Sequence, residues 1–145
     1  MTSAPGSDRM LQFLATRSQG VLATIASDGR PQLSNVFYGF DPATATVRVS
    51  VTADRAKTRN LERDSRVGLH VTSPDFWTWV VAEGTAELTP VAAAPDDDTV
   101  AELVGLYRSL NGEHPDWADF RASMVADRRR VVRFTVTRSY GQVPG

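Results

Sequence analysis

Cysteine is absent from this chain of 145 residues, so disulfides, thiol nucleophiles and thiolate metal ligands are excluded. Histidine is scarce. His70 and His114 are the only two, too few for a multi-histidine metal centre. Lysine is scarcer: of 16 basic residues every one except Lys57 is arginine. No apolar run approaches the roughly 20 residues that cross a bilayer. The opening "MTSAPGSDRM" holds no apolar signal core, and the expectation is a cytoplasmic protein. A net charge of -1 offers neither a nucleic-acid footprint nor a membrane-surface patch. What is present is a chain of one domain's size, residues 1–145, able to bury a core without covalent or metal staples.

Turn chemistry and period-two alternation divide that chain. "GVLATIA", "SDGR" and "PQLSNVFYGF" read as strand, tight turn and strand, because Gly29 after Asp28 tolerates positive φ. "DPATA" is a second turn, and "TVRVSVT" alternates with Val47, Val49 and Val51 on one side. "SRVGLHV" is a strand with Val67, Leu69 and Val71 inward, "FWTWVVAEGTAELTP" a long strand bent at Gly84, and "RRRVVRFTVTRSYG" a closing strand. Three further segments have helical spacing. Ser7 can cap a helix striped by Met10, Phe13 and Leu14. "PDDDTVAELVGLYRSLNG" carries Val100, Leu103, Val104 and Tyr107, and "HPDWADFRASMVAD" has Pro115 in its first turn, then Trp117, Phe120 and Met124. The expected fold is mainly β: an antiparallel barrel or sandwich with helices packed outside.

"DRAKTRNLERD" is the stretch that suggests chemistry. Arg55, Lys57 and Arg59 sit where a short helix begins, and a helix start already carries partial positive charge. Asp54 can cap the helix and offset part of this. An anion bound at the helix start would remove the mismatch, taking backbone N–H bonds together with the charges of Arg55 and Lys57. The alternative is a solvated helix whose arginines meet Glu62 and Asp64.

Polar positions nearby extend the motif. Ser50 and Thr52 lie on the non-core face of the strand that leads into the helix. Gln32 and Ser34 share one face of a hairpin strand, and Asn35 takes the other. Singly each would meet solvent; together they can bind a polar heterocycle and its ribityl hydroxyls. Trp77 and Trp79 sit two apart on a strand, so both side chains share a face. Core packing is the commoner fate of such a pair, with a wall for a flat ring or a dimer interface as the functional reading. His70 points away from the core, His114 sits near a helix cap, and "DRRR" at 127 to 130 is either a solvated strand entrance or a clamp in which Arg129 and Arg130 hold an acidic ligand tail.

"GVLATIASDGRPQLSNV", "RAKTRNLERD", "WVVAEGTAELTP", "APDDDTV" and "DRRRVV" together resemble the split β-barrel flavin and deazaflavin oxidoreductases of pyridoxamine-phosphate-oxidase class, in particular the small mycobacterial-type branch that binds coenzyme F420. The resemblance runs along nearly the whole chain. It implies a six-stranded split barrel of the FMN-binding type, forming a homodimer with two cofactor sites at the subunit interface. It implies that Arg55 and Lys57 hold the coenzyme phosphate with Ala56 and Thr58 beside them. Gln32, Ser34, Asn35, Ser50 and Val51 would line the deazaflavin and ribityl region, and Trp77 and Trp79 would approach the ring from the partner chain. The implied activity is hydride transfer from reduced F420 to an activated alkene or similar small electron-poor substrate, with no side chain assigned as catalyst. Two alternatives stay open: an FMN-dependent oxidase or reductase, and a non-enzymatic F420 carrier. "PQLSNVFYGF" lacks the basic pattern of FMN users, and "RSYGQVPG" lacks a pyridoxal-phosphate grip.

Overall fold

Alternation decides the strands. In the computed structural model, which describes residues 5–144, β4 (Thr46–Thr52) buries Val47, Val49 and Val51 and turns Arg48, Ser50 and Thr52 the other way. β5 (Arg66–Thr72) does the same with Val67, Leu69 and Val71. The hairpin at Asp28-Gly29 joins β1 (Gln19–Ile25) to β2 (Pro31–Phe37), with Gly29 at φ 87°.

Among the described residues nine strands form where six were expected, and they make two sheets. Three of the expected long strands each break in two where the chain passes from one sheet to the other. "PQLSNVFYGF" divides at Tyr38 into β2 and β3 (Gly39–Asp41). The long strand divides after Gly84 into β6 (Trp79–Thr85) and β7 (Glu87–Leu88), where the Ala86 N–H turns to the Ser65 carbonyl. The closing strand divides into β8 (Arg129–Thr135) and β9 (Arg138–Gln142). The sheets are antiparallel with orders β2-β1-β5-β6-β9 and β3-β4-β8-β7. A period-two pattern reads through such corners, because the side chains keep alternating while the hydrogen-bond partners change.

Four helices complete the fold among the described residues. α1 (Pro5–Thr16) starts ahead of Ser7, which therefore lies in its first turn and not at its cap; Met10, Phe13 and Leu14 pack on the core as the stripe predicts. α2 (Ala56–Arg63) is the cationic helix. α3 (Asp98–Asn111) is capped by Asp97, whose side chain accepts from the Val100 N–H, and stops at Gly112 with φ 77°. α4 (Trp117–Ala126) is capped by Asp116, so Pro115 precedes the helix instead of entering its first turn. α3 and α4 bring Val100, Leu103, Val104 and Phe120 into a second apolar cluster with Val131 of β8. No described helix is long and apolar enough to cross a membrane.

Where β6 passes the end of β8, Gly84 leaves no room for a side chain: a Cβ there would collide with the Thr135 carbonyl oxygen and meet the Phe134 ring at 2.9 Å. Gly84→Ala should lower stability by about 1–3 kcal/mol, the usual cost of overpacking against backbone. Urea denaturation checks this, and an unchanged midpoint would mean that the two sheets part freely at this corner.

Candidate functional site

The cationic corner begins with an unusual helix start. Arg55 is the N-cap of α2, with φ -73° and ψ 149°, and no side chain caps the helix. Asp54 is not the cap; it pairs with Arg128 at 3.3 Å. The backbone N–H groups of Ala56 and Lys57 accordingly have no partner among the described residues. The turn is nonetheless rigidly placed. Buried Thr58 donates its hydroxyl to the Thr52 carbonyl at 2.7 Å, tying the first turn of α2 to the end of β4. The Ala53 N–H donates to the Arg128 carbonyl at 3.0 Å, which brings the entrance of β8 alongside.

Intrahelical neutralisation is not what this helix does. Glu62 pairs with Arg130 at 3.5 Å and Asp64 with Arg66 at 2.7 Å. Arg63 donates to the Ile25 carbonyl and to Asn60. Arg55, Lys57 and Arg59 are left without a carboxylate partner among the described residues. Half-buried Lys57 has its pKa lowered, first by burial and then by the like charges of Arg55 and Arg129. Arg129 reaches Ser50 Oγ at 3.5 Å, and its Nε is buried with no hydrogen-bond partner.

Lys57 and Arg129 line a cleft of about 610 Å³ together with Asn35 and Ser50, and none of its lining residues is acidic. Leu103, Leu106, Tyr107 and Leu110 of α3 with Phe120 and Met124 of α4 supply apolar lining. The arrangement suits a ligand with an anionic end and a flat, largely apolar body. The sequence places α3 and α4 outside the barrel. Their part in the cleft went unread because Leu103, Tyr107, Phe120 and Met124 satisfy a core stripe equally well. Arg129 was legible in "DRRR" only as one of two candidates, and Arg130 is occupied by Glu62 and the Thr89 carbonyl.

The other expected residues are placed differently. Arg55 and Ala56 are exposed at the helix start beside Lys57. Thr58 is spent on the Thr52 carbonyl. Gln32 accepts from the Asn60 side-chain amide, which also bonds Thr24, so it ties β2 to α2 and does not line the cleft. Ser34 is half-buried on the same face of β2, outside the lining. Val51 lies in the hydrophobic core, with its side chain on the face opposite Ser50. Trp77 and Trp79 do not share a strand: Trp77 is 70% exposed in the turn before β6, following Phe76 at φ 73°, whereas Trp79 packs on His70 and Tyr140. Neither lines the cleft within one chain.

A sequence model described as pyridoxamine 5'-phosphate oxidase matches residues 7–142. The F420H(2)-dependent biliverdin reductase of Mycobacterium tuberculosis (strain CDC 1551 / Oshkosh) is 37% identical over 81 residues, which are 55% of this chain and 57% of that protein. The chain thus spans little more than half the length of that relative. Among solved structures, one described as an F420 reductase superposes with a TM-score of 0.69 at 24% identity, covering 90% of this chain and 96% of the other. A conserved hypothetical protein from Mycobacterium tuberculosis gives 0.71 at 22% identity, covering 100% and 91%. HutZ, the heme storage protein from Vibrio cholerae, gives 0.66 at 14% identity, covering 97% and 95%. At these identities the structural likeness establishes the fold.

The charge state of Lys57 yields a test. Its folded pKa lies below the ordinary 10.5, so the protonated side chain is penalised at neutral pH and relieved as pH rises between the two values. A bound anion favours the protonated form. Sulfate affinity, measured by calorimetry, should therefore fall as pH climbs through the lowered value, before the ordinary lysine range is reached. Lys57→Met should remove that step. A decline that persists unchanged in Lys57→Met would show that the anion does not meet Lys57.

Proposed function

The chain belongs to the pyridoxamine 5'-phosphate oxidase family, and from that premise we propose that it is an F420-dependent oxidoreductase acting on a small electron-poor acceptor such as an activated alkene. The observation that carries the reading is the cationic corner. Two N–H groups at the start of α2 have no partner among the described residues, and Lys57 and Arg129 line a cleft with no acidic residue in its lining. A phosphate group fits that donor set. The 37% identity to a protein described as F420H(2)-dependent favours the deazaflavin over FMN.

In this reading Arg55 and Lys57 hold the coenzyme phosphate with the Ala56 and Lys57 N–H groups. Asn35 and Ser50 offer hydrogen bonds to the polar edge of the ring system and its ribityl chain. The α3 and α4 wall excludes water from the flat body. Bound and reduced, the coenzyme supplies a hydride to the acceptor; the protein supplies binding, orientation and a dry face. No side chain is assigned as proton donor, and solvent can protonate the product.

A homodimer with coenzyme sites at the subunit interface belongs to the same proposal. The face of the five-stranded sheet turned away from the core carries Asn35, Val21, His70, Val81 and Tyr140 in one cross-strand row. Leu33 and Phe37 stand on the same face, 66% and 63% exposed. A second copy is the occupant we assign to it, with Trp77 and Trp79 on the partner-facing surface.

Titration with F420 and separately with FMN, followed by tryptophan fluorescence, tests the coenzyme. F420 should bind more tightly, and Lys57→Ala should weaken it about 10- to 150-fold, the loss of one charge-assisted hydrogen bond worth roughly 1.5–3 kcal/mol. Preferred FMN binding would move the reading to an FMN oxidase or reductase, and F420 that binds but never turns over with an alkene panel would leave a carrier. Sedimentation checks the assembly: the protein should run as a dimer that Val81→Asp dissociates, and a monomeric wild type would remove the shared-site arrangement.

A further inference from the structure

A second cleft of about 460 Å³ adjoins the first along β2. Asn35, Val36 and Phe37 wall both. The remaining polar lining of the second cleft is Arg17, Gln19, His70 and Thr72, with no acidic residue among its lining. Arg17 sits in the short link between α1 and β1. Its Nε is closed to solvent and has no hydrogen-bond partner, and no carboxylate lies within ion-pair range of it among the described residues. A buried donor on a charged group is costly when unpaired, and native structures seldom leave one so without a ligand or water to meet it. The carbonyl end of α1 is close, since the Arg17 N–H itself bonds the Leu14 carbonyl at 3.3 Å, yet the guanidinium takes no bond from that helix.

A planar fork of N–H donors matches the two oxygens of a carboxylate, as it does those of a phosphate. The imidazole of His70, the amide of Gln19 and the hydroxyl of Thr72 supply further donors and acceptors around it. We propose that the second cleft is a carboxylate subsite, in which Arg17 holds an acid group of the hydride acceptor and so orients its reactive end toward the neighbouring coenzyme cleft. The orienting role rests on the function proposed above; capture of a carboxylate by Arg17 does not. Val21, Asn35, Phe37 and His70 of this cleft also stand on the sheet face assigned to a second copy, so that copy would close over the subsite and form part of its wall.

Calorimetric titration of the coenzyme-free protein with cinnamate and with its uncharged amide tests the assignment, alongside an F420 titration of every variant. Wild type should prefer the acid by at least about tenfold. Arg17→Gln should abolish the preference, Arg17→Lys should keep a part of it, and F420 affinity should stay within about twofold in both. If Arg17→Gln does not fold, the Arg17→Lys variant decides, because a lost fork with charge retained must still reduce the preference. Absence of acid binding, equal binding of acid and amide, or a preference that survives these substitutions would overturn the subsite. Loss of F420 affinity in step with the acid would assign Arg17 to the coenzyme instead. An Arg17-dependent acid preference in a protein that does not bind F420 would leave the subsite standing and remove only the coenzyme reading.

Discussion

Much of the molecule hinges on the buried phenol of Tyr38. Its hydroxyl donates to the Leu14 carbonyl at 2.7 Å near the end of α1, and its backbone N–H donates to the Ser18 carbonyl at 2.9 Å. Burial drives its pKa upward despite the opposing charge of Arg17, so the donor keeps its proton throughout the physiological range. At this residue the chain leaves the five-stranded sheet and joins the four-stranded one. β2 is thereby released as an edge, and both clefts lie along it. Arg17, Ser18, Asn35, Val36 and Phe37, which line those clefts, are all near neighbours in sequence of the groups that Tyr38 holds.

The first cleft concentrates an electrostatic conflict. Several arginines elsewhere are balanced: Arg48 and Arg133 share Glu102, Arg138 meets Glu83, and Arg66 meets Asp64. At the start of α2 the cations face one another, and Thr58 uses its hydroxyl to hold the turn in place instead of relieving it. Local structure that opposes its own electrostatics while being firmly anchored is the pattern expected where an anion completes the site.

Much of this was legible in the amino-acid sequence. The valine alternation of β4 and the Asp28-Gly29 turn each follow from a local rule, and each appears where the rule puts it. The cationic helix start was legible because charge against a helix dipole is a local contradiction. The sheet corners were not, since alternation persists through Tyr38 and Gly84 while the pairing partner changes. The apolar wall was not, because Tyr107 and Phe120 look alike in a stripe whether they face a core or a ligand. Val51 shows the limit of a resemblance: it neighbours Ser50 in sequence, and period two sends it into the core. Trp77 and Trp79 were separated by a turn that their spacing alone does not reveal.

The floor of the first cleft has a history within each folding event. Ser50 and Arg129 lie 79 residues apart and meet only through the β4–β8 ladder, with α3 and α4 intervening in the chain. Loop closure of that size is entropically demanding, and contacts of such long range slow the search for the native topology. A ligand that holds Ser50 and Arg129 together would bind only the folded chain and stabilise it by mass action, so that resistance to unfolding would rise and fall with the supply of that ligand.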